Sequence, residues 1–200
     1  LRRNTITGRL YKDDPTIMGW DLMNEPRNPG GAMGWKLRNW IEEMSGYIKS
    51  IAPDQLVTTG MEGFFGLSTP LKMKANNPGL DWQYWACQGT DFHSQHDIPT
   101  IDFTVAHLYP TDWLPESCAG DKYCQMLFAQ SWTDAHIEQA QQLGKPFVLE
   151  EFGYATPGQA SNADREEYFK LIYAEMAEAA SDQGGSGTLF WIFSSVDYAD

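Results

Sequence analysis

Apolar residues fall along this chain in two kinds of run. Short, nearly continuous runs of strand length lie at 17–25, 55–60, 103–109, 147–152 and 188–193, and three of them are closed by a proline or glycine. Between them lie longer stretches with helical spacing. Leu37, Trp40, Ile41, Met44, Tyr47, Ile48 and Ile51 mark a helix from Trp35 that ends before Pro53. A second helix is expected from about 123 to 143, ending at Gly144. A third, capped by Ser161 or Asn162, runs through Ala180, with Tyr168, Leu171, Ile172, Met176 and Ala179 on one face. Residues 1–14 read as a helix end and a turn. The 26–34 stretch reads as a loop, and 61–100 as a long irregular segment with room for a short helix.

Strands and helices therefore alternate, and the strands are apolar on both faces, as in a parallel sheet covered by helices. A doubly wound open sheet and a (β/α)8 TIM barrel both fit this α/β order. No Gly-rich phosphate fingerprint follows any strand, which disfavours the nucleotide-binding open sheet. The barrel is preferred because several strands end in residues with chemical potential. Five strands fall short of the eight that closure needs. The expected arrangement is an incomplete barrel, about strands 4 to 8, with residues 1–200 forming part of one domain.

Composition adds constraints. The 200 residues are 42% hydrophobic, with a net charge of -13 and a pI near 4.6. That acidity disfavours nucleic acid and anionic membranes as partners and suits a neutral substrate. No apolar run is long enough to span a bilayer. The chain opens at Leu1 without a signal peptide, as a mature form or an excised piece would. Aromatic content is 14%, enough both to fill a core and to line a groove for sugar rings. Cys118 and Cys124, six apart, could close a small loop, leaving Cys87 free or paired outside the chain. No Cys or His cluster has zinc spacing, and His93 and His96 read as solvated loop histidines.

The chemistry gathers at two strand ends. Glu25 closes the run Ile17-Met18-Gly19-Trp20-Asp21-Leu22-Met23-Asn24-Glu25 and is followed at once by Pro26, which cannot continue a ladder. Pro146-Phe147-Val148-Leu149-Glu150-Glu151-Phe152-Gly153 has the same design. Strand alternation allows only one of Glu150 and Glu151 to point inward, and spacing alone does not choose between them.

These motifs resemble glycoside hydrolase family 5, and within it the endo-β-1,4-mannanases of fungi and plants. Asn24-Glu25-Pro26 is similar to the acid/base strand, His107-Leu108-Tyr109-Pro110 to the His-x-Tyr strand, Glu151-Phe152-Gly153 to the nucleophile strand, and Trp191 to the tryptophan of the last strand. The lead-in Asn4-Thr5-Ile6-Thr7-Gly8 and Tyr11-Lys12-Asp13-Asp14-Pro15-Thr16-Ile17, with Trp20, resembles the mannanase segment. The likeness runs over essentially the whole chain. It implies retaining, endo-acting cleavage of β-1,4-mannosidic bonds in mannan, galactomannan or glucomannan. Glu25 would be the acid/base, its pKa raised by burial or like charge. Glu151, directly before the aromatic–glycine pair, would be the nucleophile, leaving Glu150 a supporting acid.

The resemblance further implies that Asn24 hydrogen-bonds the sugar 2-hydroxyl, Tyr109 orients the nucleophile and His107 contacts substrate. Trp191 would floor the subsite, with Trp113 and Arg27 extending the groove. It implies a secreted, extracellular, monomeric enzyme with no cofactor and no metal. Two alternatives stand beside it: an endo-β-1,4-glucanase of the same family, and a glycan-binding piece without a competent site. The family's arginine and histidine from earlier strands have no match here, and the 28–34 loop lacks the cysteines of some fungal members.

Overall fold

The computed structural model describes residues 2–31, 34–79, 81–118, 120–155, 161–182 and 185–193. Among these, five strands are assigned: β1 (Gly19–Asp21), β2 (Leu56–Thr58), β3 (Thr104–Leu108), β4 (Phe147–Phe152) and β5 (Gly185–Phe190). β1 pairs with β2, and β3, β4 and β5 pair in that order; every ladder is parallel. Backbone bonds from Asp102 N to Val57 O and from His107 N to Glu62 O join the two groups. The strands thus stand side by side in chain order, as staves of a (β/α) barrel wall do.

The helices cover the outside of this wall. α1 (Trp35–Ile51) buries Leu37 and Ile41. The 61–100 segment is more ordered than its composition suggests, with α2 (Pro70–Asn76), α3 (Trp82–Cys87) and α4 (Phe92–His96). A single turn, α5 (Pro110–Trp113), directly follows β3. α6 (Lys122–Leu143) starts at an Asp121 cap, whose carboxylate accepts from Tyr123 N and Cys124 N, and stops at Gly144 in the left-handed conformation. α7 (Asn162–Asp182) begins beside Ser161, whose hydroxyl accepts from Asp164 N while the Asp164 carboxylate accepts from Ser161 N. No helix among the described residues is long and apolar enough to cross a membrane.

Several expectations shift. The strands near 17–25 and 55–60 are regular for only three residues each. β5 begins three residues earlier than the apolar pattern indicates and takes in glycines read as a loop. Gly185 admits the helix above it: a Cβ there would stand 2.7 Å from the Cβ of Ala179 in α7. The N-terminal stretch forms an isolated bridge, Arg3 with Leu10, and a 3-10 turn at Tyr11–Asp13.

His93 and His96 lie on α4, not in a solvated loop. His96 is fully buried, with Nδ1 2.9 Å from Phe92 O and Nε2 accepting from Val105 N. A loop reading fails there because α4 packs its short apolar face, led by Phe92, against the strands. Cys118 and Cys124 form a disulfide, with Cα atoms 5.7 Å apart, and Cys87 is free and exposed.

The core lies between wall and helices. One part gathers Trp132, Phe147, Leu149, Phe152, Tyr168 and Ile172 under α6 and α7; the other gathers Ile41, Val57, Met61, Phe65, Phe92 and Val105 under α1 and α4. Most aromatic rings are spent here. The opposite face of the wall stays open, with Leu189 and Trp191 exposed.

Candidate active site

Chain segments leaving the C-terminal ends of the strands bring the functional side chains together. Beyond β1 the chain stays against its neighbour, with Leu22 N bonded to Thr58 O and Glu25 N to Gly60 O at 2.7 Å. Glu25 itself is left-handed, with φ of 48°, an uncommon state for a residue with a side chain. Gly60 makes the approach possible: at φ 74° a Cβ would fall 2.2 Å from Met23 O. Backbone strain of this kind needs surrounding structure to hold it, and it aims the carboxylate toward β3 and β4.

On β4 the alternation of side chains is broken. β3 and β4 pair Ala106 with Leu149 but His107 with Glu151, so Glu150 is an extra residue in the ladder. The expectation that only one of Glu150 and Glu151 faces inward does not hold. The irregularity turns both carboxylates to the same imidazole: Glu150 Oε2 lies 3.6 Å from His107 Nε2, and Glu151 Oε2 lies 3.5 Å from His107 Nδ1.

Glu25, His107 and Glu151 form the centre. His107 Nδ1 is 2.9 Å from Glu25 Oε1, and one donor atom from each of the three lies within 4.8 Å of the others. That spacing would suit a cation, but His107 Nδ1 is already engaged by both carboxylates and serves as the positive charge between them. Tyr109 donates its hydroxyl to Glu151 Oε2 at 2.6 Å. Burial and this hydrogen bond hold its phenol well above the usual range, so it remains a donor. Gly153 gives the ring its room, since a Cβ there would come 3.0 Å from Tyr109 Cε1 and 2.9 Å from Trp191 O.

Asn24, Glu25, Tyr109, Trp113, Glu151 and Trp191 line one open cleft, together with Asp112. Trp113 packs edge-on to Tyr109, and Trp191, 56% exposed, presents its ring to the open side. His107 and Arg27 are held by further partners. His107 is completely buried and faces the Glu25 and Glu151 carboxylates. Arg27 is bound to Glu62 through Nε at 2.7 Å, stands 3.9 Å from Glu25 Oε2, and lies over the Trp85 ring. Its position is set by that buried acid.

The electrostatics differ from the simple picture of a raised acid. Glu25 is held below the usual carboxylate range, first by the hydrogen bond from His107, with burial opposing and the charges of His107 and Arg27 assisting. His107 loses by burial but gains more from Glu150, Glu25 and Glu151, and is pushed up to about 9. Cations outweigh burial at Glu25, so the proton shared by this pair rests on the imidazole at neutral pH. Glu62 is raised by burial, with Arg27 acting against it.

Sequence reasoning missed Glu62 and Asp21. Glu62 lies in a segment without regular periodicity. Asp21 shares a strand phase with Glu25, a signal that could have found it, and Glu150 lies near enough to act on its charge.

Two strand-end carboxylates thus meet at one imidazole, and one of them also accepts from a phenol. The sequence profile described as GH family 5 beta-mannosidase-like matches residues 1–199, and the chain belongs to that family. Mannan endo-1,4-beta-mannosidase 7 of Arabidopsis thaliana is 43% identical over 194 residues, covering 95% of this chain and 42% of that protein.

Two solved structures are also similar. The hyperthermostable endo-1,4-beta-D-mannanase of Thermotoga petrophila superposes with a TM-score of 0.76 at 31% identity, over 96% of this chain and 50% of that one. A family 5 mannosidase of Rhizomucor miehei gives 0.73 at 28% identity, over 95% and 42%. The chain therefore spans half, or less, of the length of these relatives.

Proposed function

We propose that the protein carrying this chain is an endo-acting, retaining β-1,4-mannanase, with the five strands forming about strands 4 to 8 of its barrel. The observation that supports this most is the convergence of Glu25 and Glu151 on His107 at the strand ends. Glu151, oriented by Tyr109, attacks the anomeric carbon, and the glycosidic C–O bond breaks. The proton held between His107 and Glu25 passes through Glu25 to the departing oxygen. Water then attacks the glycosyl ester, gives its proton back to Glu25, and frees Glu151 with net retention. Asn24 lies beside the acid where a sugar hydroxyl would sit, and Trp191 offers an apolar face to the ring being cleaved. The substrate is a mannan, galactomannan or glucomannan, and the enzyme acts outside the cell as a monomer.

The test is reducing-sugar release from galactomannan and from carboxymethyl cellulose, with the anomeric form of the first product recorded. Glu25→Gln and Glu151→Gln should each lower mannan cleavage at least roughly 100-fold. Full activity in either variant would sink the assignment. Preference for the cellulose derivative would replace mannan by glucan.

A further inference from the structure

We propose that Glu150 is a positioning residue that holds the His107 ring between the two catalytic carboxylates. The inference rests on the reading of Glu25 and Glu151 just given. Glu150 enters the site only because the β3–β4 register slips at His107. Its Oε2 and His107 Nε2 are 3.6 Å apart, both are buried, and neither makes a hydrogen bond of normal length. A buried carboxylate and a buried ring nitrogen so placed offset each other's burial when the imidazole is charged. With Nε2 held by Glu150, Nδ1 is fixed toward Glu25 and Glu151 on the other side of the ring.

The groups facing the imidazole are Asp21 and Glu25 from β1 and the turn after it, and Glu150 and Glu151 from β4. α6 contributes only the uncharged Trp132, whose indole donates to His107 O. The segment after β2 contributes the Glu62 backbone carbonyl, which accepts from His107 N.

The experiment is an NMR titration of the His107 imidazole in the protein, read beside kcat and KM on mannan. The wild-type midpoint is expected above 8; a midpoint at or below 6.5 overturns the proposal without any variant. Glu150→Gln should lower the midpoint by about one unit or more and reduce kcat about tenfold with KM little changed. Glu150→Asp, which keeps the charge, should restore most of both. An unmoved midpoint in Glu150→Gln, or a moved midpoint with unchanged kcat, overturns it. The titration does not depend on mannan being the substrate, so failure of the functional reading shows separately, as activity retained in Glu25→Gln or Glu151→Gln.

Discussion

At the residue scale the site is organised by one buried imidazole. His107 receives Glu25 and Glu151 on Nδ1 and Glu150 on Nε2, so the placement of three acids depends on its ring. Tyr109 is the other donor at Glu151. Tyr109→Phe removes a hydrogen bond to a charged oxygen while keeping the ring in its pocket against Trp113 and Gly153. Such bonds contribute about 1.5–3 kcal/mol, so kcat should fall about 10- to 100-fold with little change in unfolding temperature. Steady-state kinetics with a parallel melting curve checks both halves. The strand-end acids could be read from sequence because a proline or glycine stops each strand just past them. Glu62 could not: its importance comes from Arg27, 35 residues away along the chain.

At the scale of elements, local signals decided the helices and long-range pairing decided the strands. α6 illustrates the first. Asp121 caps two backbone N–H groups and Gly144 closes the far end. Replacing Asp121 with Ala should cost about 1 kcal/mol and lower the melting temperature by about 2–4 °C. A thermal melt showing no change would mean the cap is replaced by solvent. β4 illustrates the second. Its span is plain in the sequence, yet the ladder irregularity that turns Glu150 and Glu151 to one ring depends on β3. β5 likewise starts at Gly185 because α7 comes close enough to need a glycine, which no periodicity records.

At the scale of the whole molecule, His96 ties α4 to the segment after β2 and to β3. Its Nε2 accepts from Val105 N and lies 3.0 Å from Thr59 Oγ1. Protonating Nε2 would break the bond from Val105. Burial pushes this imidazole down to about 3, while the unfolded chain titrates near 6.5. Its contribution is therefore complete above pH 6.5 and lost as pH falls from there toward 3. By pH 5 the loss amounts to about 2 kcal/mol. His107, raised to about 9, acts oppositely: its contribution is complete below pH 6.5 and is lost as pH rises toward 9. Denaturant unfolding across pH 5 to 9 should therefore show greatest stability near pH 6.5. A His96→Gln variant should show a shallower acid limb.

The sequence by itself determined the alternation of strands and helices, the glycine stop of α6 and the capped start of α7, and which carboxylates stand at strand ends. These are encoded within a few residues, by spacing and by proline, glycine and capping side chains. Only the tertiary structure decided that both Glu150 and Glu151 reach His107, that Arg27 belongs to Glu62, that His96 is core, and that the proton rests on His107. Each depends on distances between segments far apart in the chain. Burial and charge there are set by packing, which no single stretch contains.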